Sequence, residues 1–336
     1  MKHCLYIVPN LRKYSGGPVT RISIFKDVFS KQAATIFEGK TKLKVLTSFE
    51  KFELSYVESA SNRLNFIDLL PLLFLRFRSK KVIVFIRDIY IELFPEEYKS
   101  FRGIITLFVN RLSNFYLTFL STSMVFPTEE MGRVFFERNN IFPKRPYTDL
   151  PPGTYGIAEN VKPPNFSKKI GVLYLGSLGY TNSGYKNFLE FSKKYKEHYH
   201  FFILSGDKDL ALKTKGYPVV INKIPRAEIP KYIEDHNIAY AFHTRPRNTY
   251  DDLTFPIKVL DFLSFQLPFF SEEHIPIVAL LSNHYPLFVS YSSLSTIDNT
   301  IKAIGPGEYI IMRENLKKIT IENTYDSRYK KLLSLD

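Results

Sequence analysis

In the stretch TFPIKVLDFLSFQLPFF, residues 254–270, a lysine and an aspartate stand three residues apart inside an apolar run. Pro256 suits the first turn of a helix, where a missing N–H is no loss. Ile257 follows it, and Val259, Leu260 and Leu263 then form an apolar face at helical spacing. Thr254, Lys258, Asp261 and Phe265 fall on a different stripe, so Lys258 and Asp261 point the same way from the first turns. Those turns offer free N–H groups and the positive end of the helix dipole, which attract phosphate and carboxylate. Taken alone, the pair reads as a surface salt bridge at a helix start. Other residues with chemistry surround it: the adjacent acids Asp251 and Asp252 upstream, His243 closing the apolar run IAYAFH (238–243), and Arg226 in IPRAEIP (224–230).

Short apolar runs alternate with helix-length segments in both halves. The first half offers strands at 2–8, 42–48, 81–86 and 124–128, with helices near 17–31, 62–78, 99–120 and 128–139. In the second half, strands at 169–176, 200–206, 219–223, 238–244 and 267–271 alternate with helices near 184–198, 226–236 and 256–265. This alternation predicts an α/β chain of two doubly wound parallel sheets covered on both faces. The segment 137–169, with six prolines and little periodicity, reads as the domain junction and not as a core element. Two such domains would leave a cleft at the C-terminal ends of their strands, where ligands of this architecture bind.

Composition narrows the class. With 336 residues, 45% hydrophobic and 15% aromatic, the chain suits two well-packed domains. Its single cysteine, Cys4, excludes a disulfide framework, fits a reducing compartment and reads as an inert core thiol. The apolar run CLYIV is too short for a signal peptide, and the greasiest long segment, 104–126, is interrupted by Asn110, Arg111 and Asn114, so it predicts buried or half-buried helices. The expected location is therefore cytoplasmic, peripheral to the inner face of the plasma membrane. A net charge of +13 points to anionic partners. The cluster RFRSKK (76–81), directly after LLPLLFL, is a candidate contact for an anionic membrane surface. No helix-turn-helix, zinc or RNA-binding aromatic signature supports a nucleic-acid partner.

On these residues the second half resembles the C-terminal domain of retaining glycosyltransferases of the GT-B fold, of the family 4 (group 1) type. YLGSLGYTNSGYKNF (174–188) is similar to that family's first C-domain strand, its glycine at Gly176 and a basic helix start, with Lys186 at the place of a phosphate-binding lysine. IPRAEIPKYIEDHNIAYAF (224–242), with Arg226, is similar to the unit bordering the nucleotide base, and 254–270 to the signature helix. The resemblance reaches the N-terminus, where VPNLRKYSGGPVTRI (8–22) looks like the first strand and Gly-Gly loop, and FIRDIYIE (85–92) like a donor- and acceptor-facing loop. ENTYDSRYKKLL (322–333) resembles the last helix, which crosses back to the first domain, with Tyr325 for the usual tryptophan.

The resemblance implies an N-terminal acceptor-binding domain at 1–155 joined by the crossover helix 322–336, and a nucleotide-sugar domain at 156–321. It implies Lys186 and Lys258 at the donor diphosphate, Asp261 at the ribose, Gly16 and Gly17 close to phosphate, and Gly176, Pro256 and Ile257 among the donor-binding residues. Arg226 and His243 would touch the donor, Asp251 or Asp252 the sugar, and Arg87 with Asp88 the acceptor side. The implied reaction is metal-independent transfer, with retention, from a nucleotide-diphosphate sugar to a saccharide or lipid-linked acceptor, in bacterial cell-surface polysaccharide synthesis; no cofactor is expected. The chain departs from the pattern at Leu253, where the first of two acids is expected, at Ser177, where an arginine is usual, and at Gln266, where a glycine ends the helix. Two other readings stand beside this one: a non-catalytic binding protein descended from such enzymes, and a nucleotide-sugar epimerase on the same scaffold.

Overall fold

The computed structural model describes residues 3–11, 17–58, 64, 66–158, 161–179 and 182–335. The chain divides into two compact units. The first runs to Gly153 and takes back Leu253–Phe255 and the segment from Tyr325; the second holds Thr154–Asp252 and Pro256–Thr324.

In chain order the first unit comprises β1 (Cys4–Val8), α1 (Gly17–Lys31), β2 (Thr35–Glu38), α2 (Lys44–Thr47), β3 (Phe52–Glu58), α3 (Phe66–Arg78), β4 (Ser79–Phe85), α4 (Tyr90–Leu93), α5 (Phe101–Leu120), β5 (Ser123–Phe126), α6 (Glu129–Arg138) and β6 (Tyr147–Asp149). Its sheet has the order β2-β1-β3-β4-β5-β6, and every pairing is parallel. Strands covered on both faces read as unbroken apolar runs, and CLYIV is buried at all five positions.

The second unit comprises β7 (Gly171–Leu175), α7 (Tyr185–Lys194), β8 (His200–Leu204), α8 (Leu210–Lys213), β9 (Val220–Asn222), α9 (Ile229–Asp235), β10 (Ile238–His243), α10 (Thr249–Leu253), α11 (Ile257–Ser264), β11 (Phe269–Ser271), α12 (Ile275–Leu281), α13 (Leu294–Ala303) and α14 (Pro306–Glu322). Its sheet order is β11-β10-β7-β8-β9, again all parallel. A final helix, α15 (Tyr325–Ser334), belongs to the first unit. Tyr329 packs edge-on against Phe29 at 4.8 Å, Tyr325 is buried beside Phe25, and Lys331 pairs with Asp149 at 2.6 Å. Cys4 is buried under this helix, 4.0 Å from the Tyr329 hydroxyl.

The first unit also buries a charge. Arg21 of α1 donates through Nε to Glu58 at 3.0 Å and through Nη2 to the Tyr56 hydroxyl at 3.2 Å, while the Tyr6 hydroxyl donates to the second Glu58 oxygen at 2.7 Å. The guanidinium lies over the Phe85 ring, 3.9 Å from its centroid. Removing either charged partner would leave the other buried and unpaired.

Three sequence expectations need correction. Residues 42–48 are not a strand: Gly39–Leu43 form a 3₁₀ turn and Lys44–Thr47 a helical turn, and the strands there are β2 and β3. Lys40, Thr41 and Lys44 of GKTKLK are exposed and Lys42 is turned to the Asp68 carboxylate, leaving Val45 as the buried apolar residue of that piece, too little for a two-sided strand. Residues 137–169 are more than a junction, since they supply β6 on the sheet edge and the fully buried Leu150. Residues 104–126 hold one half-buried helix, as expected, but α5 turns much of its apolar side outward and the segment ends in β5.

At the end of α11 the Leu267 N–H bonds the Phe262 carbonyl at 2.9 Å and the Gln266 N–H bonds the Leu263 carbonyl at 2.9 Å. This closure puts Gln266 at φ +51°, a position that glycine takes without steric cost. Gln266→Gly is therefore expected to stabilise the protein by about 1 kcal/mol, read as a higher denaturant midpoint in chemical unfolding; a lower midpoint would count against this account of the helix end.

Candidate active site

In the second unit the chain leaves β7 towards β8 and β9 on one side, and later returns to place β10 on the other. The C-terminal ends of β7 and β10 therefore flank the switch point, the crevice where doubly wound sheets hold ligands. Gly176 follows β7 at φ +109°, and a Cβ there would lie 2.5 Å from the Lys258 Cε. The positive φ favours glycine here, and the missing side chain leaves room for this lysine to lie across the end of the strand. Lys258 Nζ donates to the Tyr174 hydroxyl at 3.3 Å and sits 4.7 Å from that ring's centroid. The Tyr174 hydroxyl in turn donates to the Ser177 carbonyl at 3.0 Å, so it is held as a neutral acceptor for the ammonium.

Lys258 makes no ion pair among the described residues. Burial, and then the neighbouring Arg245, pull its pKa down to about 8, with only Asp207 pulling the other way. A cation short of counter-charge at a strand end is the electrostatic signature of an anion site. His243, the last residue of β10, is buried here with Nδ1 3.2 Å from the Ser271 hydroxyl and Nε2 without a hydrogen-bond partner. Burial, followed by His274, Lys258 and Arg245, holds its pKa well below the ordinary value, so the ring is neutral.

Two loops frame this position. Asp207, just past β8, accepts the backbone N–H of Leu178 at 2.7 Å and of Gly179 at 3.1 Å, and the Ser177 hydroxyl at 3.1 Å. Gly184 presses on the loop after β10 so closely that a Cβ would lie 1.7 Å from the Thr244 carbonyl oxygen, and the Thr244 hydroxyl donates to the Ser183 carbonyl at 2.7 Å. Lys186, second residue of α7, is exposed and makes no ion pair among the described residues.

The adjacent acids are already engaged. Asp251 is buried, ion-paired to Arg245 at 2.5 Å, and accepts from the side-chain amides of Asn248 at 2.6 Å and Asn182 at 3.1 Å. Asp252 pairs with Arg247 at 2.9 Å, accepts the Ile275 N–H at 3.3 Å and stands 3.7 Å from His274 Nδ1. Leu253, in the register where the resemblance expects an acid, is buried in the apolar core of the first unit, and its carbonyl accepts from the Thr128 hydroxyl at 2.7 Å. A carboxylate at that position would be desolvated without a partner. Arg245, Asn182, Asn248 and His274 were not expected from sequence; the signal for Arg245 was the basic tract HTRPRN placed directly after β10.

One turn further along α11, Asp261 does not share a partner with Lys258. It accepts from Arg226 Nε at 2.8 Å, and burial raises its carboxyl pKa against the pull of that arginine. The Arg226 guanidinium lies 3.3 Å from the centre of the Tyr155 ring. Tyr155, Arg226, Pro230 and Phe265 line a cavity of about 720 Å³. Its wall comes partly from the proline-rich segment, fixed by the Ala158 N–H on the Ser264 carbonyl at 2.8 Å. Pro256 precedes α11 as its cap and Ile257 is its first residue, both half-buried.

In the first unit, Arg87 and Asp88 follow β4, both half-buried, and Asp88 accepts the Tyr90 N–H at 2.7 Å to open α4. Gly17 begins α1; Gly16 lies outside the described residues. Among the described residues no cluster of three His, Cys, Asp or Glu is placed to hold a metal ion.

No protein-family model and no curated protein matches the sequence. Solved structures do match in fold. A trehalose 6-phosphate synthase from Burkholderia multivorans superposes with a TM-score of 0.64 at 10% identity, covering 99% of this chain and 98% of its own. The Anabaena protein HepE in complex with UDP and glucose gives 0.65 at 11% identity, with 99% and 100% coverage. An alpha-glucosyltransferase in complex with UDP and a 13-mer DNA gives 0.63 at 11% identity, with 98% of each chain covered. The chain has the GT-B fold, two Rossmann-like parallel-sheet domains in succession.

The depressed pKa of Lys258 has a sign that can be measured. Between about 8 and the ordinary lysine value the unfolded chain holds a proton that the folded chain has released, so folded stability gains as pH rises through that window. Below about 8 both states are protonated and the cost of the buried charge is constant. Denaturant midpoints of wild type minus those of Lys258→Met should climb from pH 8 to 10 and stay flat from pH 6 to 7.5; a difference that is level throughout would contradict the assignment.

Proposed function

We propose that the protein is a glycosyltransferase that moves a sugar from a nucleoside-diphosphate donor to a saccharide or lipid-linked acceptor, with retention of configuration. The observation that carries this reading is Lys258, a cation that makes no ion pair among the described residues, lying across the end of β7 at Gly176 with a second cation, Arg245, nearby. Bacterial cell-surface polysaccharide synthesis is the setting we assign to it. The fold supports the reading because three structures that share it were crystallised with UDP, UDP and glucose, or UDP-glucose.

When the glycosidic bond breaks, negative charge grows on the departing diphosphate, and stabilising that charge is the main task of the protein. Lys258, Arg245 and the N–H groups at the start of α11 supply positive charge in a preorganised place, so the proposed reaction needs no metal. Lys186 extends the cationic path at the start of α7. Asp261 is assigned to the ribose hydroxyls, which would compete with Arg226 for its carboxylate. Neutral His243 offers its unpartnered Nε2 to the donor sugar. Asp251 and Asp252 are assigned as positioning residues that aim Arg245 and Arg247, since their oxygens are already bonded. Arg87 and Asp88 remain the acceptor-side assignment, and catalysis rests on positioning and electrostatics, without an assigned side-chain nucleophile.

A second reading, a donor-binding protein without turnover, is favoured by one observation: Leu253 is built into an apolar core where an acid would serve catalysis. Transfer and hydrolysis measured across a panel of nucleotide sugars separates the two, because that protein would bind without consuming donor. Lys258→Ala is expected to weaken nucleotide-sugar affinity tenfold or more, and Asp261→Asn about tenfold, as typical of a lost charged hydrogen bond. Absence of any nucleotide or nucleotide-sugar binding at millimolar concentration would sink both readings. Gly176→Ala, which drives a methyl group into the Lys258 side chain, should reproduce much of the Lys258→Ala loss in calorimetric titration while leaving the circular dichroism spectrum intact.

A further inference from the structure

Helix α5 is amphipathic in the reverse sense. Its inward side carries Asn110, Ser113, Asn114 and Thr118 together with Leu117 and Leu120, all buried, while most of its apolar residues face out. Phe101, Ile104, Phe108, Leu112, Phe115 and Phe119 are all exposed, Phe101 to 80% and Phe108 to 68%. They recur every three or four residues and make one stripe about 27 Å long at the helical rise.

The polar side fixes this orientation. Asn110 donates to Glu92 Oε1 at 2.9 Å, Asn114 donates to the same oxygen, and the Leu64 N–H donates to the Ser113 hydroxyl at 3.2 Å. Turning the helix to bury the stripe would strand Glu92, which burial has already pushed towards its neutral form. Beside α5 runs α3, joined through the Tyr116 hydroxyl on the Leu69 carbonyl at 2.5 Å. It too exposes apolar residues one turn apart, Leu70, Phe74 and Phe77. Exposed apolar area of this extent marks a surface that is covered in use.

Charge selects the occupant. Residues 66–81 and 99–120 hold seven basic side chains, Arg76, Arg78, Lys80, Lys81, Lys99, Arg102 and Arg111, and a single acid, Asp68. That acid is ion-paired to Lys42 and Lys80 is paired with Glu53, so the two segments keep a net cationic excess carried by Arg76, Arg78, Lys99, Arg102 and Arg111. A second copy seated on the same face by two-fold symmetry would bring two cationic rims together, which is repulsive. An anionic lipid surface answers both features at once: aromatic and aliphatic side chains enter the acyl boundary and the flanking cations meet the headgroups. No described helix is long and apolar enough to cross a membrane, so α5 would lie in the plane of the interface.

We infer that the outward faces of α5 and α3 form a docking surface for an anionic phospholipid bilayer, with α5 lying flat at the headgroup boundary. This goes beyond a basic patch at 76–81: the contact is the apolar stripe of α5, and the cations set its preference for anionic lipid. The inference stands whether or not the donor assignment holds, because none of its residues belongs to the proposed donor site.

The test is flotation of the full chain with vesicles of pure phosphatidylcholine and of phosphatidylcholine containing 30% phosphatidylglycerol, at about 0.1 and about 0.5 M salt. Wild type should float with the anionic vesicles at least tenfold better than with the neutral ones, and less at high salt. The triple variant Phe101→Ser, Phe108→Ser, Leu112→Ser should lose binding to both. Arg102→Gln with Arg111→Gln should lower binding to the anionic vesicles only. All variants should keep the wild-type unfolding midpoint and nucleotide affinity, as expected for exposed positions outside the donor site. Full binding by the triple variant, or equal binding to both vesicle types, would overturn the proposal. So would a wild-type dimer in analytical ultracentrifugation that the triple variant abolishes, with no vesicle binding by either protein.

Discussion

Every strand in each sheet runs the same way, and this constraint decides where function can sit. A parallel sheet ends all its strands on one edge, so side chains just past β7, β8 and β10 converge without any need for proximity in sequence. Gly176, Asp207 and His243 come from three separate segments and meet for this reason. Helix α11 returns to the same edge because it follows β10 after a short excursion, and it brings Lys258 in its first turn. The glycine is required by its backbone, at φ +109°, and a Cβ there would also press on the end of the Lys258 side chain.

The cost of that arrangement is electrostatic. Lys258 loses hydration, lies near Arg245 and receives only a phenol hydroxyl in return. Proteins rarely leave a desolvated cation so poorly matched unless something else completes the site. The loop after β10 shows the opposite condition, since Arg245 and Arg247 are each locked to one of two adjacent aspartates. The acids there are the counter-charges that hold arginines in place, while the lysine on α11 makes no ion pair among the described residues.

The alternation of apolar runs with helical spacing made both doubly wound sheets legible, because parallel strands buried on two faces leave a continuous hydrophobic signal. What escaped were pieces whose burial is decided by tertiary contact. Strand β6 is three residues inside a proline-rich stretch, and only its pairing with β5 distinguishes it from a loop. Lys258 and Asp261 were correctly placed on one helix, yet their separate partners, Tyr174 and Arg226, come from segments 84 and 35 residues away and could not be read from spacing. The left-handed turn at Gln266 was hidden because the residue type expected there, glycine, is absent while the backbone geometry is kept.

The same limit explains α5. Hydrophobic periodicity gives the angle between the apolar and polar faces of a helix, but nothing in the helix itself says which face meets the core. The ordinary assumption buries the apolar face, and here it fails over most of the helix because the half-buried Glu92 recruits Asn110 and Asn114 as donors. One half-buried carboxyl, together with Leu117 and Leu120 in the core, thereby sets the rotation of a 20-residue helix. An apolar inner face could not have satisfied that carboxyl, and a polar outer face would have left nothing to hold the helix against a lipid surface. The two requirements reinforce each other, so the inverted helix is a consistent solution instead of a misfit tolerated by an otherwise conventional core.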